Sequence, residues 1–195
     1  MLAFLFLASG FAALVYQLVW HRALYAIYGI DITSVTMVVT AFMLGLGCGS
    51  LLGGALSRPG RRGMLGAFAA LEFGIGAFGF FSLDLFGWAG TITLGASALG
   101  TAAATFLLVL VPTTLMGASL PVLVAFATRR TGNVGRSVGL LYFANTLGGA
   151  LGCFAAAVLL LGLLGQRAAV QGAAAVNVAL GAAVLLLRGR LEVPA

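Results

Sequence analysis

Charge is what this sequence has least of. Only 7% of its residues are charged and 62% are hydrophobic, whereas a soluble domain has about 25% charged residues. So few polar groups could not cover a water-facing surface, which excludes a soluble globular domain. Lysine is absent, and the ten basic residues are all arginines. The acidic residues are Asp31, Glu72, Asp84 and Glu192, His21 is the single histidine, and Cys48 and Cys153 are the only cysteines. One histidine at a helix end does not make a Ser-His-Asp set. Neither cysteine has a histidine or a second cysteine at ligand spacing. Both read as small packing residues, and no metal or cofactor is expected. No glycine-rich loop follows a strand, so nucleotide chemistry is not expected either. A net charge of +6 would suggest nucleic acid for a soluble protein. Here the arginines fall in short breaks between apolar runs, where membrane topology explains them and no nucleic-acid partner is expected.

What the sequence does have is apolar length. A spanning helix takes about 20 apolar residues, so 195 residues hold six or seven spans and no sizeable extramembrane domain. The breaks define six spans, at about 2–20, 32–56, 64–85, 94–127, 138–161 and 168–187, within a single all-α membrane domain, 1–195. The opening run, MLAFLFLASGFAALVYQLVW, has no positive n-region and is too long for a signal-peptide core. It is expected to stay as the first span and to extend toward Tyr28. The fourth apolar stretch, 91–127, would be about 55 Å long as one helix, against a hydrocarbon core of about 30 Å. A loop in its first turns together with a kink at Pro112 or Pro121 is the favoured resolution.

With six spans, Arg58, Arg61, Arg62, Arg129, Arg130, Arg136, Arg188 and Arg190 share one side, and Arg22 and Arg167 the other. The positive-inside rule then puts both termini in the cytoplasm, in an inner-membrane protein. Span two (AFMLGLGCGSLLGG) and span five (YFANTLGGALGCFAA) are both glycine-dense. Spans one to three and four to six therefore form two similar triplets of opposite orientation, a 3+3 inverted repeat.

The break after span two, GGALSRPGRRG, resembles the loop motif between the second and third helices of the major facilitator superfamily. Gly54, Arg58, Gly60, Arg61 and Arg62 match it, and Ser57 stands where that family has Asp. SGFAALVYQLVWHRAL (9–24), LEFGIGAFGFFS (71–82), PTTLMGASLPVL (112–123) and GRSVGLLYFANTLGGALG (135–152) narrow the resemblance to the membrane domain of spermidine-synthase-like membrane proteins. In those proteins a half-facilitator is often fused to a soluble aminopropyltransferase. The soluble domain is not in this chain, and Gln17 replaces a Glu frequent in that family. The resemblance therefore implies kinship without enzymatic activity, in a fold like half of a facilitator. By the same resemblance, spans two and five border the seam with whatever supplies the other half.

Glu72 lies about 12 Å into span three from Met64. A carboxyl at that depth faces the bundle interior or a wet crevice, with Gln17, Tyr16, Asn145 and Asn177 as candidate partners. Two readings stand: a proton or cation site on a transport path, or a carboxyl that holds helices in register. Trp20, Tyr25, Tyr28 and Trp88 read as interfacial anchors. Gly45, Gly49 and Gly53, and Gly148 with Gly152, repeat every four residues and strip one helix face for close packing. Beyond the lipid bilayer, the expected partners are a second copy in a homodimeric half-size transporter for a small amine or cation, or a larger membrane complex in which the chain is an accessory subunit. A separately encoded soluble synthase is a third expectation.

Overall fold

The computed structural model describes the whole chain except residues 29–30, 58–62, 96 and 192–195, together with the side chains of 27–28, 31–34, 98 and 190–191. The long helices are α1 (Leu2–Tyr28), α2 (Asp31–Leu56), α3 (Met64–Ile92), α4 (Ala98–Thr131), α5 (Val134–Ala155) and α6 (Gly165–Leu191). α5 continues through a π-helical turn (Ala156–Leu160) and a closing α turn (Leu161–Leu163). Six stretches of 22 to 33 residues, one in each of these rods, are long and apolar enough to cross a membrane. The chain is thus an all-helical, six-span bundle of the kind expected of a polytopic membrane protein.

The break before the fourth span is shorter than expected. α3 runs on to Ile92, and after a turn at 93–95 Ser97 caps α4 by accepting the Gly100 N–H at 3.2 Å. α4 then continues unbroken through Pro112 and Pro121 to Thr131. The first turns of the 91–127 stretch are thus a short connection, as expected, and it is short because backbone polar groups away from water are best satisfied within a helix. α4 ends at Gly132, whose φ of 66° is left-handed and suits glycine. Asn133 follows at once and caps α5 by accepting the Arg136 N–H at 2.9 Å.

α2 packs chiefly on α4, α1 on α5 and α3 on α6, while α3–α4 and α1–α6 form the next contacts. Glycine makes the first two pairings possible. A Cβ at Gly45, Gly49 or Gly53 would strike Thr113, Thr114 or Ala118 of α4, and one at Gly148 or Gly152 would strike Leu7 or Phe11 of α1. The Thr113 hydroxyl adds a bond across the α2–α4 contact, donating to the Ala41 carbonyl at 3.2 Å. These glycine faces are therefore filled from within the chain. The outward faces of α2 and α5 are free instead. Met43, Leu51, Tyr142, Phe143 and Phe154 are exposed there, and only 28% of each of these two spans is buried.

Trp20 is not an interfacial anchor. It is fully buried, stacked on Tyr16 and edge-on to Phe78 and Phe86, and its indole N–H donates to Ser82 Oγ at 3.0 Å. A buried indole needs such an acceptor, and the small serine on α3 supplies it. Trp88 and Tyr25 are exposed as an anchor requires, and the Tyr28 side chain lies outside the described residues. Cys48 faces outward and so is not a packing residue, whereas Cys153 is half-buried. Near the end of the bundle where α6 begins, Arg167 grips Asp84 of α3 with two hydrogen bonds, at 2.6 and 3.1 Å.

Candidate functional site

Helical spacing builds one polar point inside the bundle. Glu72, Ile75, Gly76, Gly79 and Ser82 fall on the buried face of α3, as three- and four-residue steps require. Ser9 and Tyr16 lie two turns apart on α1, and Asn177 sits on α6. Glu72 and Tyr16 are wholly buried and Asn177 is 1% exposed. The Ser9 hydroxyl donates to one Glu72 oxygen at 2.8 Å, and the Asn177 amide N–H donates to the other at 2.6 Å. The Tyr16 hydroxyl in turn donates to the Asn177 carbonyl at 3.0 Å. Gly79 leaves the space that the Tyr16 ring occupies, since a Cβ there would meet the ring and its hydroxyl. Three helices are thus tied through one carboxyl.

In front of this network lies a cavity of about 440 Å³, walled chiefly by α1, α2, α4 and α5, with Ile75 of α3 and Asn177 of α6. Ser9 and Asn177, the two groups that hold Glu72, line it, and so do Gln17, Ser50, Ser119 and Asn145. The sequence-derived candidates therefore divide. Asn177 bonds Glu72 directly and Tyr16 does so through Asn177, whereas Gln17 and Asn145 face the cavity without a bond to the carboxyl. Ser9 was missed by sequence reasoning. Its signal was present all the same: a hydroxyl seven residues before Tyr16 on an otherwise apolar helix shares its face. Of the loop motif, Gly54 lies in the last turn of α2 with nothing within 4 Å of the position its Cβ would take, and Arg58, Gly60, Arg61 and Arg62 lie outside the described residues. Among the described residues no three His, Cys, Asp or Glu side chains are grouped to hold a metal.

No family model, curated protein or solved structure matches the chain.

The chemistry of the site must then be read from its own groups. An ionised carboxyl only accepts hydrogen bonds, and here it has one donor for each oxygen. If the oxygen facing Asn177 carried a proton, that amide could turn over, presenting its carbonyl to Glu72 and its N–H to Tyr16. A tyrosine hydroxyl accepts as well as donates. Turning over would leave the Tyr16 hydroxyl hydrogen without its acceptor, so the observed arrangement is the one that suits the ionised carboxyl, and Asn177 is both its donor and part of the cavity wall.

Proposed function

We propose that the chain is a half-size transporter unit of the inner membrane, related by descent to the membrane domain of spermidine-synthase-like proteins, which moves a small amine or other cation as a homodimer. The observation that carries this reading is a cavity inside the bundle whose mainly apolar wall holds a few polar groups, one hydrogen bond away from a buried carboxyl. Glu72 acts in it as the proton- or cation-responsive group. Asn177 relays its state to the cavity wall, and Gln17 and Asn145 contact the passing solute. The helix pairing supports the half-facilitator arrangement. Exchanging α1 for α4, α2 for α5 and α3 for α6 turns the α1–α5 contact into α4–α2, and the α3–α4 contact into α6–α1, as a 3+3 inverted repeat requires. The arginine-rich end is assigned to the cytoplasm, with both termini on that side. The exposed faces of α2 and α5 are where a second copy closes the cavity. No catalytic role is proposed.

A second reading has its own observation. Glu72 has no exposure, and both of its oxygens are occupied, as befits a fixed tie in an accessory subunit of a larger membrane complex. Mild detergent extraction followed by mass measurement separates the two. A discrete particle with about 40 kDa of protein, twice the 19.8 kDa chain, is the expected result. Dimeric protein in liposomes should then take up a labelled polyamine with a proton counterflow that Glu72→Gln abolishes. Stoichiometric recovery with a large assembly, or uptake unchanged by Glu72→Gln, would overturn the transporter reading.

A further inference from the structure

A second cavity lies at the opposite extreme of the bundle from the Asp84–Arg167 clasp, where the start of α1 meets the end of α4 and the start of α5. It measures about 360 Å³, within the range of about 300–1,000 Å³ typical of small-molecule sites. Its walls differ in kind. Leu2, Ala3, Leu140 and Leu141 make an apolar floor, and Arg130 and Arg136 stand at its polar edge. Neither arginine has an ion pair among the described residues, although a guanidinium near apolar surface gains from an anionic partner. Arg130 is held over the Phe126 ring, with its guanidinium carbon 6.0 Å from the ring centre. The turn that brings Arg136 opposite is pinned by the Thr131 and Ser137 hydroxyls, 3.0 Å apart, and by Ser137 donating to the Asn133 carbonyl at 2.9 Å. The two positive groups therefore flank the cavity on a stiff frame.

We propose that this cavity binds the phosphate headgroup of an anionic phospholipid, with Arg130 and Arg136 on the phosphate and the first carbons of one acyl chain on the exposed Leu140. Three features select that ligand. Two guanidinium groups suit phosphate oxygens, which accept paired N–H bonds. The start of α5 adds the positive end of a helix dipole to the same edge. An apolar floor continuous with lipid-facing helix surface suits a ligand that carries its own hydrocarbon, which a free phosphate does not. Basic pockets between helices at a membrane surface are a recognised form of headgroup site.

The test uses the full chain in mixed micelles with equal phosphatidylglycerol and phosphatidylcholine, and native mass spectrometry to count the lipids retained. The wild-type protein should keep phosphatidylglycerol over phosphatidylcholine by about thirtyfold, from about 1 kcal/mol for each arginine. Arg130→Gln with Arg136→Gln should bring the ratio down to that of the micelle, whereas Arg129→Gln with Arg188→Gln, which removes equal charge from the same end, should leave it. Leu140→Trp keeps both arginines and fills the cavity, so it should also abolish retention, and it serves if the double variant fails to fold. Equal loss in the two double variants would mean diffuse charge attraction and overturn the site, as would retention in Leu140→Trp. Displacement of the lipid by millimolar inorganic phosphate or glycerol 3-phosphate would overturn the assignment to lipid and make the pocket one for soluble phosphate.

Discussion

At Glu72 each carboxyl oxygen meets one neutral donor, and no arginine among the described residues pairs with it. Its substitutions should therefore differ by hydrogen-bonding capacity more than by charge. Glu72→Leu removes the acceptor of both the Ser9 hydroxyl and the Asn177 amide, at about 1–3 kcal/mol each. Glu72→Gln can accept from Ser9 and, once Asn177 turns over, donate to its carbonyl, leaving one group, the Tyr16 hydroxyl, without its acceptor, so it should cost about 1–3 kcal/mol and less than Leu. Thermal melts of detergent-solubilised protein should rank wild type above Gln, and Gln above Leu. Equal melting of the Gln and Leu variants would show that the network contributes nothing. At this scale the sequence was readable in part. A carboxyl in an apolar run announces itself, and amides are conspicuous for the same reason. A serine is small enough to pass for packing, and Trp20 was misread because a tryptophan near a span's end serves as an anchor when it faces lipid and as core when it faces α3. Only the neighbours decide which.

Among the helices, the α2–α4 seam depends on backbone touching backbone. Gly49→Leu should open it, because a side chain there meets the Thr114 carbonyl and the Ala118 amide, which cannot move aside as a flexible side chain can. Gly47, on the same helix, has nothing within 4 Å of the position its Cβ would take, so Gly47→Leu should be tolerated. The expected loss for Gly49→Leu is about 1–3 kcal/mol or more, read as lowered melting and broadened elution in detergent, with Gly47→Leu matching wild type. Four-residue glycine spacing told in advance that Gly45, Gly49 and Gly53 form a contact face. It did not tell what lies on that face, since lipid tails are as apolar as leucine and a span's inward and outward sides have similar compositions. The partner proved to be α4 of the same chain. The third span, expected to end near residue 85, runs on to Ile92, and Phe86, Trp88 and Ile92 carry the helix there.

For the molecule as a whole, the number of spans was legible because hydrophobic length is a one-dimensional signal, and the helix pairing was not, because it is a three-dimensional one. That α1 packs on α5 and α2 on α4 is seen only in the folded chain. The length of the helices has its own consequence for where the protein is at ease. Its six apolar stretches run from 22 to 33 residues, or about 33 to 50 Å at helical rise, and the longest, in α4, is tied to α2 by glycine contacts along much of its course. A rod held that way is not free to tilt alone, so the bilayer has to adapt, and adapting costs a fraction of a kcal/mol per Å of mismatch. The protein should therefore melt at a higher temperature in long-chain than in short-chain phosphatidylcholine vesicles. In a cell with membranes of unequal thickness, it should collect in the thicker one.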